Sequence, residues 1–342
     1  MLSELKLINM EDVEATEVEW LWYPYIPYGK ITIIQGDPGE GKTTVVLHLA
    51  AMLSKGEALP CDETQREPIN IIYQTAEDGL SDTIKPRLLD GGADCTQIKV
   101  IDEEEKSLTL LDERLEQAIV ETGARMVILD PIQAYLGDGV NMNAANEIRD
   151  VMKRVGAMAQ RHGCAIILVG HMNKGGGKSS YRGLGSIDFQ AVARSVLVVG
   201  RMKDNPEMRV VAQCKSSLAP EGKSISFELN RETGFRFVGE CDVSVDELLT
   251  GEVRANKTKL AEALLLEVLE NGEVLQADIM QKARVKEISK RVMDEVKKKL
   301  GVKSRKRQGK WYWSLPENQP CNRAGVQPTA MLQTSLEEGA DE

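Results

Sequence analysis

Between residues 31 and 201, short apolar runs rich in β-branched residues recur along the chain, separated by stretches whose apolar positions fall at helical spacing. The runs at 31–35 (ITIIQ), 69–74 (INIIYQ), 97–101 (IKVID), 126–130 (MVILD), 165–170 (AIILVG) and 195–201 (SVLVVGR) are predicted strands. Several are apolar at consecutive positions instead of alternating, the pattern of strands covered on both faces of a parallel sheet. Segments 42–54, 79–89, 109–122 and 143–161 are predicted helices. Strand–helix alternation of this kind predicts an α/β fold, a mainly parallel sheet flanked by helices. After residue 200 the rhythm changes, and 208–214, 224–229 and 235–238 read as shorter strands in antiparallel hairpins that extend the sheet.

A second pattern begins further on. Residues 246–256 read as a linker, and a compact segment spans 257–316. It has predicted helices at 257–270, 275–283 and 286–300, then two strands about a turn at Gln308-Gly309. Leu260, Leu264, Val268, Ile279, Val292, Val296 and Leu300 supply the apolar faces, and Trp311, Tyr312 and Trp313 are expected to anchor the last strand. Three helices followed by a hairpin is the order of a winged helix. Residues 317–342, rich in Pro, Gln, Gly and acids, are predicted to be disordered.

Composition adds limits. A chain of 342 residues allows one large and one small domain, here 1–245 (core about 20–240) and 257–316. No apolar run reaches the roughly 18–20 residues of a membrane span. The acidic N-terminus lacks a signal-peptide pattern, so no membrane association and a cytoplasmic location are expected. Six scattered cysteines without a CxxC pair argue against a disulfide framework and a zinc site.

Charge is more informative. The net charge of −10 conceals 15 Lys/Arg against 8 Asp/Glu over residues 257–315. A basic module on an acidic body implies an anionic partner. As a DNA-binding winged helix it would place Lys290 and Arg291 on a helix in the major groove of duplex DNA, and Arg305, Lys306 and Arg307 on phosphates. A merely solvated face and a protein–protein role are the competing readings.

The chemistry-bearing motif lies near the start. Gly36-Asp37-Pro38-Gly39-Glu40-Gly41-Lys42-Thr43 matches GxxxxGK[ST], with a predicted strand entering and a helix leaving. Glycines let the backbone wrap phosphate, and the amides and helix N-terminus present positive charge. Gly36 through Thr43, with Thr44 following, form the candidate ATP-binding set. Lys42 is expected on the β- and γ-phosphates, and Thr43 on Mg²⁺. Asp130, ending the strand Met126–Asp130, is the second candidate Mg²⁺ ligand. Its neighbour Pro131 leaves no Glu there to activate water, and Glu77, just past the strand at 69–74, is the candidate base. His171, just past the strand at 165–170, is a candidate γ-phosphate sensor; His48 and His162 are read as ordinary helix residues.

Taken together, GDPGEGKT (36–43), TAED (75–78), LDPIQAYLG (129–137), VGHMNK (169–174), YRGLGSIDFQAVARSVLVV (181–199) and AQCKSSLAP (212–220) resemble the RecA-like ATPases over about residues 20–238. The resemblance is greatest to the RepA-type hexameric replicative helicases. It implies Glu77 as catalytic base and His171 as sensor. It also implies basic residues acting on a neighbouring subunit's ATP; Arg209 and Lys215 are the candidates, with Arg182, Arg194 and Arg201 as competitors. Lys174 and Lys178, in the Gly-rich loop, are implied to touch single-stranded DNA in a central channel. The basic C-terminal segment is similar to winged-helix modules behind RecA-like ATPases of mobile elements. Unlike RadA-type proteins the chain shows no N-terminal zinc ribbon, and unlike DnaB-type helicases no primase-binding N-terminal domain. The expected activity is that of a Mg²⁺-dependent, DNA-stimulated ATPase, a hexameric helicase or DNA motor in the replication of a mobile element, with an ATP-switched DNA-binding regulator or loader and a RadA-like accessory ATPase without unwinding activity as alternatives.

Overall fold

The computed structural model describes residues 7–137, 145–172, 187–203, 205–230, 232–250, 254–270, 272–286, 288–307 and 309–316. Lys174, Lys178, Arg182 and the tail from residue 317 fall outside them, as does the side chain of Arg291. The chain divides into two compact units, Met1–Val253 and Arg254–Glu342.

The first unit opens with a small hairpin of β1 (Trp20–Trp22) and β2 (Ile26–Pro27). The alternation follows: β3 (Ile31–Gly36), α1 (Lys42–Ser54), β4 (Ile71–Thr75), α2 (Lys85–Asp90), β5 (Ile98–Lys99), α3 (Glu113–Thr122), β6 (Met126–Asp130), α4 (Ala145–His162), β7 (Ala165–His171), α5 (Ile187–Val192) and β8 (Ser195–Met202). Then come β9 (Asn205–Ser216), β10 (Ser224–Asn230), β11 (Gly234–Cys241) and α6 (Val245–Thr250). One nine-stranded sheet results, in the order β11-β10-β9-β8-β3-β7-β6-β4-β5. Pairing is parallel from β8 to β5 and antiparallel from β8 to β11.

The consecutive apolar residues of the central strands are divided between the two faces, as the pleat requires. Ile34, Tyr73, Ile128 and Ile167 pack with Val45, Leu49 and Leu53 of α1 on one side. Ile33, Ile72, Val127 and Ile166 pack with Ile148, Met152 and Val155 of α4 on the other. Both layers are buried, so neither face tolerates the polar alternation of a half-exposed strand.

The connection expected from 246 carries structure. Residues Val245–Thr250 form α6, and Leu248 packs against Gly200 of β8. Ser244 and Glu247 form a reciprocal capping box: Ser244 N donates to Glu247 Oε2 at 2.8 Å, and Glu247 N donates to Ser244 Oγ at 3.2 Å. That Ser-x-x-Glu spacing was legible, but the acidic composition around it read as a linker. Among the described residues no helix is long and apolar enough to cross a membrane.

The second unit comprises α7 (Arg254–Leu269), β12 (Val274–Leu275), α8 (Gln276–Val285), α9 (Lys290–Lys299), β13 (Lys303–Arg307) and β14 (Lys310–Ser314). Its three strands pair antiparallel in the order β12-β14-β13. Leu264, Ile279, Met293, Val296, Leu300 and Trp313 form its core. Three expected packing residues lie outside it, the half-buried Tyr312 among them. Leu260 is 40% exposed and Trp311 is 48% exposed. Place along β14 explains the second. Trp313 is flanked by Val274 of β12 and Ser304 of β13, whereas Trp311, two residues nearer the turn, has a strand partner only in Lys306 of β13. Ser289 caps α9 by accepting from Val292 N at 3.3 Å.

Candidate nucleotide site

The parallel strands β3, β7, β6 and β4 end on the same edge of the sheet, and the expected site residues follow those ends. Register makes the adjacency close. Gly36 of β3 stands opposite His171 of β7, and Thr75 of β4 opposite Asp130 of β6. The loop after β3 turns directly into α1, with Gly41 in the left-handed region at φ 93°. Gly36 tolerates no side chain: a Cβ there would lie 2.2 Å from the Val199 carbonyl oxygen of β8.

Four expected residues meet through Lys42. Lys42 Nζ donates to the carbonyls of Gly36 at 3.0 Å and Asp37 at 2.9 Å, and lies 3.2 Å from His171 Nδ1. With lysine as donor, that histidine nitrogen accepts and is unprotonated. Burial lowers the pKa of Lys42, against the pull of Asp130, Glu40, Asp37 and Glu77. Burial also lowers the pKa of His171, and the Lys42 charge lowers it further.

Thr43 Oγ1 donates to Asp130 Oδ2 at 2.6 Å. Tyr73, fully buried on β4, reaches the same oxygen at 3.4 Å. Burial raises the pKa of Asp130, and the Thr43 hydrogen bond and the Lys42 charge oppose the rise. A hydroxyl and a carboxylate in contact at the head of α1 fit a hard divalent cation that takes its remaining oxygens from phosphate and water. The loop fits phosphate, since the left-handed Gly41 turns it directly into the N-terminus of α1.

Glu77 is exposed just beyond β4, and its charge acts on Lys42, Asp130 and His171 alike. It caps no helix. The π turn Leu80–Ile84 that leads into α2 starts from Gly79 without a side-chain cap, and Asp78 pairs with Arg87 at 3.1 Å.

Thr44 contributes a carbonyl that His48 Nδ1 approaches at 2.9 Å. Two basic residues expected to serve a neighbouring subunit are engaged within their own chain. Lys215 closes the C-terminal end of α5, donating to the carbonyls of Gln190, Ala191 and Ala193. An ammonium there meets carbonyls left without helical partners, which accounts for its position. Arg209 Nη1 donates to the Gly39 carbonyl at 3.2 Å. Arg201, a competitor for the same role, pairs with Glu40 at 2.9 Å. Tyr73 and the Glu40–Arg201 pair were missed; nothing local in the sequence marks contacts that join distant segments.

In the second unit Arg305 and Arg307 flank Glu273 at 3.7 Å and 3.3 Å, while Lys306 Nζ lies 5.9 Å from the Trp311 ring centroid. Lys290 is exposed at the start of α9.

Comparison with known proteins supplies a family. The AAA domain family AAA_25 matches residues 2–177, just over half of the chain. The chain belongs to this family. Its phosphate loop, Asp130 and His171 all lie within the matched AAA domain. Among curated relatives, the DNA repair protein RadA of Halalkalibacterium halodurans is 30% identical over 150 residues, 43% of this chain and 29% of RadA. Protein RecA of Rickettsia prowazekii is 23% identical over 230 residues, 63% of this chain and 64% of RecA. The chain thus spans less than two thirds of the length of either relative. A solved ATPase domain aligns with a TM-score of 0.46 at 14% identity, over 61% of this chain and 84% of that domain. A KaiC-like protein from Pyrococcus horikoshii aligns at 0.43 and 18% identity, over 62% and 91%. The first unit of this chain has an α/β fold, with its mixed, mostly parallel sheet flanked by helices.

Proposed function

We propose that this chain is a Mg²⁺-dependent ATPase acting on DNA, an oligomeric RecA-like motor of the helicase type serving replication of a mobile element. One observation carries the catalytic part: Lys42, the Thr43–Asp130 pair, Glu77 and His171 converge on one edge of the sheet from four different strands. The loop amides and Lys42 bind the phosphates. Thr43 and Asp130 would hold Mg²⁺, which would neutralise charge on the phosphate oxygens. Glu77 takes a proton from the attacking water, and its exposure beside Lys42 leaves room for that water. His171, 3.2 Å from Lys42 Nζ, reports whether phosphate occupies the loop.

Support for DNA comes from the basic second unit and from the matched segments of RadA and RecA. Helix, strand, two helices and a hairpin is winged-helix order, and in this reading α9 enters a major groove while the wing rests on phosphates.

The first test is ATP hydrolysis with and without single-stranded DNA over a range of protein concentrations. Stimulation by DNA and a rate per protomer that rises with concentration are expected. Glu77→Gln should lower turnover at least ~10²-fold, the usual scale of general acid–base catalysis, and leave nucleotide affinity intact. Normal turnover in that variant removes Glu77 from the mechanism. The RadA match favours a second reading, an accessory ATPase that does not unwind DNA. Strand separation on a forked duplex with ATP decides between them.

A further inference from the structure

The phosphate loop is gripped from outside by strands that its own chemistry does not use. β8 lies beside β3 and β9 beside β8, and Arg201 and Arg209 form a cross-strand pair. Arg201 Nε donates to Glu40 Oε1 at 2.9 Å and Oε2 at 3.2 Å, and its Nη2 donates to the Gly39 carbonyl at 3.1 Å. Arg209 Nη1 donates to that same carbonyl at 3.2 Å. One loop carbonyl therefore serves two guanidinium groups.

The approach is close. A Cβ on Gly41 would lie 2.9 Å from Arg209 Nη1, so this guanidinium fills the space the glycine leaves. Arg209 Nε is buried with no acceptor among the described residues. Burying a guanidinium without satisfying all its donors is costly. Two like charges side by side add to the cost, and among the described residues only Arg201 of the two is paired with a carboxylate, Glu40.

Backbone geometry says what the grip achieves. In a trans peptide the Glu40 N–H points opposite to the Gly39 carbonyl. Tying that carbonyl to the arginines aims the N–H into the loop, where it meets Asp37 O at 3.4 Å. The same amides cradle phosphate in the reading above, on which this inference rests.

We propose that Arg201 and Arg209 are positioning residues for the phosphate loop of their own chain, with Glu40 as the loop-side partner. They fix Gly39–Glu40 with the amides facing inward and place two positive charges behind the bound phosphates. Arg209 accordingly serves its own site, not the ATP of a neighbour as the family resemblance implied.

The test uses the full chain and a fluorescent ATP analogue. Arg201→Ala, Glu40→Ala and Arg209→Ala should each weaken nucleotide binding about 10-fold, and the Glu40/Arg201 double variant should lose much less than the product of the single losses. Unchanged affinities, or multiplicative losses in the double variant, overturn the proposal. Should Arg209→Ala fail to fold, the partly exposed Arg201 and the loop residue Glu40 still carry the test. Mixing provides a second readout. Equal amounts of Arg209→Ala and Lys42→Ala protein should show only the summed activity of the separate variants. Recovery of ATP hydrolysis in the mixture places Arg209 on a neighbour's site and overturns the proposal. Failure of the unaltered chain to bind the analogue, or full hydrolysis by Lys42→Ala, instead overturns the nucleotide reading and the inference with it.

Discussion

At the scale of single residues, the site depends on positions with no freedom. Gly36 faces backbone, not a movable side chain, so a methyl group there must displace β3 or β8. Gly36→Ala should destabilise the first unit by about 1–3 kcal/mol, the usual cost of forcing volume into a packed site. Urea unfolding measures the loss, and a midpoint equal to wild type contradicts the close approach. His171 gives a pH signature. Its pKa is depressed by burial first and by Lys42 second, so the folded chain resists protonation that the unfolded chain accepts. The stability it contributes is complete above the ordinary histidine value of 6.5 and falls as pH drops through it. His48 is depressed in the same direction, so the comparison must isolate one residue. Between about pH 7.5 and about pH 5.5, His171→Asn should lose less stability than wild type. Equal losses would remove His171 from the account.

Among elements, the clearest contrast lies within β14. Trp313 is 1% exposed inside the second unit's core, with Lys297 Nζ 4.5 Å from its ring centroid. Trp313→Ala should cost about 3–5 kcal/mol in the stability of that unit, as large aromatic truncations in cores do. Trp311→Ala, at 48% exposure, should leave melting nearly unchanged. If both substitutions melt alike, the register of β14 is other than described. The sequence pattern placed all three aromatics of this strand in one anchoring role. Alternation turns Tyr312 to the opposite face, but it leaves Trp311 and Trp313 on the same one. Only the reach of the neighbouring strand and helices decides which of those two is covered. α6 teaches the converse lesson: its capping box is a local signal, yet its burial against β8 is not.

For the whole molecule, charge separation is the feature with the widest consequence. A net of −10 coexists with a second unit whose helix α9 and wing are dense in lysine and arginine. Part of that charge is already engaged, since Arg305 and Arg307 share Glu273. A chain ending at residue 253 should lose most of its affinity for duplex DNA and show a flatter dependence on salt, because fewer phosphate contacts release fewer counterions. Titration at two salt concentrations measures both. Undiminished affinity would move DNA binding to the first unit.

Local information in the sequence determined the alternation of strands and helices between residues 31 and 201, the phosphate loop and the identity of Lys42, Thr43, Glu77, Asp130 and His171 as candidates. Apolar periodicity and motif spacing are short-range signals, readable wherever neighbouring residues share one element. The tertiary structure alone decided that β7 and β6 lie between β3 and β4, which brings residues from positions 42 to 171 to one edge. It alone set Glu40 against Arg201, 161 positions apart, turned Lys215 onto α5, and left Trp311 outside the core. Those choices depend on which buried surfaces meet and which charges find partners, and such pairings form only when the sheet has assembled.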